Sequence, residues 1–157
     1  AAVEVAELAA AWSHGKLKAK GSISLAAGLP VYRLQGRLDG FSWRGAAIDA
    51  DGRLETVGSG VELLQNLKSA GTFSAADVPL SEDLECPIAK GRYEIFFRRG
   101  TPQLKLTSIE VALGDEVYQG QGASLADGRM GIDLTDGKKA LRLTGRLAPF
   151  RFDSAPK

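Results

Sequence analysis

From Lys16 to Ala26 apolar and polar residues alternate without a break. Leu17, Ala19, Gly21, Ile23 and Leu25 take one parity, and Lys16, Lys18, Lys20, Ser22 and Ser24 take the other. A period of two over that length is the mark of an extended strand with one dry and one wet face. At about 3.3 Å per residue such a strand spans roughly 35 Å, long for a globular protein. The pattern returns at Tyr32, Leu34, Gly36 and Leu38 against Arg33, Gln35, Arg37 and Asp39, and at Tyr93, Ile95 and Phe97 against Arg92, Glu94 and Arg98. A chain built this way is constrained to be mainly β, an antiparallel meander of long strands forming a curved sheet or an open groove, with one or two short helices. Nineteen of 157 residues are Gly, about 12% against a usual share of roughly 7%, which suits many turns and tight strand approaches.

The punctuation between strands predicts their connections. Asp39-Gly40 reads as a two-residue hairpin, setting Leu38 opposite Phe41 and Gly36 opposite Trp43. That register puts Ile48 on the wet face, so a bulge or a second dry face is needed further on. Asp51-Gly52 reads as a longer turn. Two helices are expected. Val5, Leu8, Ala9 and Trp12 fall at helical spacing, predicting a short helix over Val3–Trp12 that stops at Gly15. Ser59-Gly60-Val61-Glu62 has the form of a capping box and predicts a helix over Gly60–Ser69. Phe73, Ala75 and Val78 begin a further strand, and Ser81–Pro87 reads as a loop.

The C-terminal half reads as strands. Gly100-Thr101-Pro102 turns the chain. Leu104 and Leu106 change phase to Ile109, Val111 and Leu113, which requires a bulge near Thr107-Ser108. Asp127-Gly128 and Asp136-Gly137 are hairpin signals. As two-residue turns they set Leu125 against Met130, Ile132 against Leu141 and Met130 against Leu143, and predict a three-strand meander from Val117 to Leu147. Arg33–Leu38 recurs at Arg142–Leu147 with five of six residues matched, one strand type used again.

Composition closes off most chemistry. Twenty Lys+Arg against nineteen Asp+Glu, with signs interleaved, indicate no nucleic-acid partner. No apolar run is long enough for a transmembrane segment. There is one Cys and one His, so no internal disulfide can form, a multi-His zinc site is impossible, and any Ser/His/Asp triad would have to use His14. Cys86 has no basic neighbour to activate it. Asp49, Asp51, Asp127, Asp133 and Asp136 could be imagined as acid/base or Ca²⁺ groups, but three of them occupy Asp-Gly turns, where Asp serves the backbone. Gly120-Gln121-Gly122 has no following helix to hold a phosphate. Lys16, Lys18 and Lys20 form a basic stripe, read as a solvated face or edge guard, with a phospholipid-headgroup contact as the alternative. Phe41, Trp43, Tyr93, Phe96 and Phe97 read as core aromatics, with a binding platform as the alternative. No enzyme, metal or cofactor is indicated.

From Val57 to Leu147 the sequence resembles the C-terminal periplasmic region of AsmA-like proteins, relatives of the TamB-type proteins of the Gram-negative envelope. Three pieces carry the likeness: Gly58–Phe73, with its turn, short helix, glycine and strand; Tyr118-Gln119-Gly120-Gln121-Gly122-Ala123-Ser124 leading into Asp127–Met130; and Leu141–Leu147. Leu8–Leu25 and Tyr32–Trp43 fit more loosely. The resemblance transfers no catalytic motif. It implies that residues 1–157 are one β-rich domain, a fragment of a longer periplasmic protein tethered to the inner membrane, in keeping with a start at Ala1. It implies an apolar β-groove that handles or transfers lipid between membranes, with phospholipid acyl chains and other envelope proteins as partners. The residues expected to face lipid or form the core are Leu17, Ile23, Leu25, Leu34, Leu38, Tyr93, Ile95, Phe97, Leu104, Leu106, Ile109, Val111, Met130, Ile132, Leu141 and Leu143. The alternative is a sheet that binds a protein or another ligand without moving lipid.

Overall fold

Each run of alternating residues forms a strand, and each strand pairs with the next in sequence. The structure, a computed structural model, describes residues 2–12, 14–43, 45–81, 84–147 and 150–156. Only the backbone is described at Trp12, Trp43 and residues 79–81, 84–87, 146–147 and 150–156. The strands are β1 (Ala2–Trp12), β2 (Gly15–Ala26), β3 (Leu29–Trp43), β4 (Ala46–Val57), β5 (Lys68–Ser81), β6 (Leu84–Arg98), β7 (Thr101–Leu113), β8 (Glu116–Ser124), β9 (Met130–Thr135), β10 (Ala140–Leu147) and β11 (Phe150–Pro156). A single helical turn, α1 (Glu62–Gln65), joins β4 to β5. All eleven strands lie in one antiparallel sheet in the order of the chain. The expected meander of long strands is therefore the fold, as one open sheet. No ladder joins its first strand to its last among the described residues.

The segment Val3–Trp12, expected as a helix, is strand β1, and Gly15 opens β2 rather than ending a helix. The cause is a bulge. Val5 pairs with Gly21 and Leu8 with Ala19, so β1 spends three residues where β2 spends two. The extra residue shifts the apolar phase from Val3 and Val5 to Leu8 and Ala10, and that shift imitates helical spacing.

Asp39-Gly40 is likewise a bulge, not a hairpin. β3 runs through it, with Leu38 opposite Ala50 and Phe41 opposite Ile48. Gly40 takes a positive φ of 64°, and its N–H donates to Asp49 Oδ1 at 2.7 Å. An Asp-Gly pair supplies the conformation needed by a bulge as readily as that needed by a turn. Cross-strand pairing on both sides selects the bulge, and it puts Ile48 on the dry face. The predicted pairs Leu38–Phe41 and Gly36–Trp43 do not form.

Asp51-Gly52 is not a turn either. It lies inside β4, with Gly52 between Gly36 and Gly71. A Cβ at Gly52 would stand 2.5 Å from both the Ala70 carbonyl and the Tyr93 hydroxyl. The glycine is there for close approach.

α1 is much shorter than the expected Gly60–Ser69. Half of the capping box forms, as the Ser59 N–H donates to Glu62 Oε2 at 3.3 Å, but Val61 occupies the cap and no side chain caps the helix. From Lys68 onward the chain pairs with β4, Lys68 facing Glu55, and a ladder cannot share residues with a helix. Ser81–Pro87, expected as a loop, is mostly ladder: β5 continues to Ser81 and β6 begins at Leu84.

The bulge near Thr107-Ser108 is present. β7 carries an extra residue there against both neighbours, and Ser108 has φ 50°. The β8–β9–β10 meander also forms, but its turns are longer than two residues. Ser124 pairs with Met130, so Leu125 does not face Met130; Leu125 instead bonds Arg129 across the loop at 2.6 Å. Ile132 faces Leu143 and Leu134 faces Leu141, a shift of two from the predicted register. Asp136 Oδ1 accepts the N–H groups of Lys138 and Lys139 at 2.8 and 2.7 Å and so holds a four-residue loop. A slip of two residues preserves every side chain's face, which is why the dry side survives it.

Candidate functional surface

Every expected site residue falls on one face of the sheet. Reading across the ladders, Ala19, Gly36, Gly52, Gly71, Tyr93, Leu106, Gly122, Ile132 and Leu143 form a continuous row. A parallel row holds Gly21, Leu34, Leu54, Ser69, Ile95 and Leu104. Leu17, Leu38, Ala50 and Phe73 belong to a third. Bulges in β1, β3 and β7 keep the phase common where the sequence slips.

That face has two regimes. Toward the C-terminus it is a closed core. Met130 and Leu143 are each 1% exposed. They pack with Ala46, Ala75, Val78, Ile109, Val111, Tyr118 and Leu134, and Leu104, Leu106, Ile132 and Leu141 border the cluster. A single flat layer cannot bury side chains this far. β11 comes back against β5, which brings the dry faces of the intervening strands together.

Toward the N-terminus, among the described residues, no second layer of strands lies over the same face. β2 and β3 pack on their sequential neighbours, and β4 adds only α1 at one end. Leu17, Ile23, Leu34, Leu38, Tyr93, Ile95 and Phe97 are half-buried, shielded by neighbours within the sheet. Leu25, expected among them, lies near the end of β2 and is 63% exposed. Tyr93 lies across the glycine row, its hydroxyl over Gly52 and 3.4 Å from Ser69 Oγ. The aromatic ring covers backbone that glycine leaves bare. Phe96 projects from the opposite, charged face, so the aromatics do not form one platform. The side chains of Trp43 and Cys86 lie outside the described residues.

A broad depression lies on the charged face. It has a volume of ≈ 1010 Å³ and runs over β1–β6, where Lys20, Arg33, Gln35, Arg53, Glu55, Lys68 and Glu94 line it. Arg33 pairs with Glu55 at 2.9 Å and Lys105 with Glu94 at 3.9 Å, all well exposed. Arg37 Nε lies 2.6 Å from Asp39 Oδ1, which raises the guanidinium pKa. At the other end the Tyr118 hydroxyl donates to Glu116 at 2.8 Å and Lys139 approaches the same carboxylate at 3.2 Å. These contacts lower the Glu116 pKa and raise those of Tyr118 and Lys139.

None of this assembles a reactive constellation. The acids considered for acid/base or Ca²⁺ chemistry are dispersed. Asp49 holds a bulge, Asp127 and Asp136 hold turns, and Asp133 faces Arg142. Among the described residues no group of three or more His, Cys, Asp or Glu could hold a metal, and no helix is long and apolar enough to cross a membrane. His14 is an exposed turn residue with φ 64°. Comparison with family models, with curated proteins and with solved structures yields no match to this chain.

Proposed function

We propose that this chain is a non-enzymatic segment of an AsmA-like envelope-biogenesis protein. Its apolar face over β2–β6 holds lipid acyl chains in transit between membranes. In this reading the body lies in the periplasm, and the full-length protein is tethered to the inner membrane. The observation that carries the reading is the dry face itself, continuous in register across the sheet, closed at one end by β5–β11 and uncovered at the other. Apolar area left in water is costly, and an acyl chain can cover it without a polar site. Each buried methylene contributes about 0.8 kcal/mol, so ten give roughly 8 kcal/mol before ordering costs.

The test is lipid extraction and mass spectrometry of the chain purified from cells without detergent, together with transfer of a fluorescent acyl probe between vesicles. Phospholipid is expected with the native chain and is expected to be lost in Leu34→Glu/Leu54→Glu, which charges the open face and leaves the closed core intact. No lipid on the native chain and no probe transfer would overturn the proposal.

A further inference from the structure

We infer that the end of the sheet formed by the β2–β3, β4–β5 and β6–β7 connections docks on an anionic bilayer surface, with its apolar tips in the headgroup–acyl boundary and its arginines on lipid phosphates. In an antiparallel meander these three connections lie side by side at the same end of the sheet. The first carries Leu25 and Leu29, 63% and 48% exposed, and the second carries Val61 and Leu64, 71% and 59% exposed.

A lone exposed leucine means little, but these four are held as a group. Leu63 of α1 and Leu67 just beyond it are half-buried. The buried Thr56 donates its hydroxyl to the Leu63 carbonyl at 2.6 Å, and the Asn66 amide donates to the Val57 carbonyl at 3.0 Å. The Gly58 N–H donates to the Pro30 carbonyl at 2.9 Å, which ties the approach to α1 to the base of the β2–β3 turn. Val61 and Leu64, three residues apart, share the outward side of the helical turn. Their exposure is therefore fixed by bonds they take no part in.

Charge supplies the second observation. Residues 21–32, which include the whole β2–β3 turn, contain no charged side chain, so that turn can enter an apolar layer without desolvating an ion. On the other flank Arg98 and Arg99 are exposed at the β6–β7 turn, and Lys68 is exposed where β5 begins. None of these three has an ion pair among the described residues. Adjacent connections are two strand spacings apart, about 9.6 Å, so the cations border the tips. Glu62, the acid of this group, accepts the Ser59 N–H. Apolar tips bordered by unpaired cations complement a layer that is oily within and anionic at its surface.

This inference does not rest on acyl-chain carriage by the dry face. The test is co-sedimentation of the whole chain with vesicles of phosphatidylcholine containing phosphatidylglycerol, against vesicles of phosphatidylcholine alone. Binding to the anionic vesicles is expected, with much weaker binding to the neutral ones. Leu25→Ala and Leu64→Ala should each weaken it roughly 5- to 50-fold, since each withdraws three carbons from the apolar layer. Arg98→Gln/Arg99→Gln should weaken it roughly 10- to 30-fold on anionic vesicles and leave the neutral ones unaffected. These four side chains are exposed, so far-UV circular dichroism should be unchanged. Leu34→Glu/Leu54→Glu, which strips lipid from the dry face, should still bind, and that outcome separates the two proposals. No binding to anionic vesicles at about 1 mM lipid, binding indifferent to the leucine changes, or self-association through the same leucines without vesicle binding would overturn the inference.

Discussion

Truncating two leucines on the same face should separate its closed and open regimes. Leu143 is 1% exposed within the cluster formed with Met130 and Leu134, so Leu143→Ala removes three buried carbons and leaves a cavity. The expected cost is roughly 3–5 kcal/mol. Leu34 stands between Gly21 and Leu54 on the uncovered part and is only half-buried. Water fills the space left by Leu34→Ala, so no cavity term arises. Only the transfer of its shielded carbons is lost, roughly 1–2 kcal/mol. For a chain of this size each kcal/mol moves Tm by roughly 2–4 °C. Leu143→Ala should therefore lower Tm by roughly 6–20 °C and Leu34→Ala by roughly 2–8 °C. Urea unfolding followed by far-UV circular dichroism gives the free energies, provided the slope is unchanged between variants. Equal costs at the two positions, or a cost below about 1.5 kcal/mol at Leu143, would refute the division into a sealed and an open region.

Two further outcomes follow from local geometry. A Cβ at Gly71 would meet the Asp51 carbonyl oxygen and the Gly52 Cα, so Gly71→Ala should destabilise by roughly 1–3 kcal/mol. Strand glycine replaced by alanine without a clash would instead gain roughly 0.5–1 kcal/mol, so a rise in Tm would count against the close approach. The second concerns acid. The backbone N–H of Lys139, then that of Lys138, holds the Asp136 carboxyl below the usual carboxylate range. A group depressed in the folded state contributes stability above its unfolded pKa and loses it as pH falls through the folded value. Asp136→Asn keeps an acceptor oxygen without the titration. The stability advantage of the native chain over this variant should be full above about pH 4 and shrink below it. A difference constant between about pH 6 and about pH 2.5 would show that the turn does not depend on the charge.

Much of the architecture is legible in the residues because a period of two is local. Lys16–Ala26 and Tyr93–Phe97 state their faces without reference to any partner. The phase change at Leu106 and Ile109 states its bulge. What is not legible follows from choices that the same residues permit in two ways. Asp39-Gly40 offers the dihedral angles of a turn and of a bulge, and Asp49 and the paired strands decide between them. Val5 and Leu8 are spaced for a helix and for a bulged strand, and pairing with β2 decides that. The candidate surface divides along the same line. The face each of these side chains takes could be read from parity; that Leu25, on the same face, is 63% exposed at a strand end could not.

The primary structure by itself determined which side of every strand is oily, since alternation survives any slip of two residues. Whether that oil is sealed or bare was decided only in three dimensions. β11 returns to β5 at one end of the sheet, and among the described residues no strand returns over β2–β3 at the other. Burial depends on how far a twisted sheet comes back toward itself, and that accumulates over many strands rather than residing in any one of them.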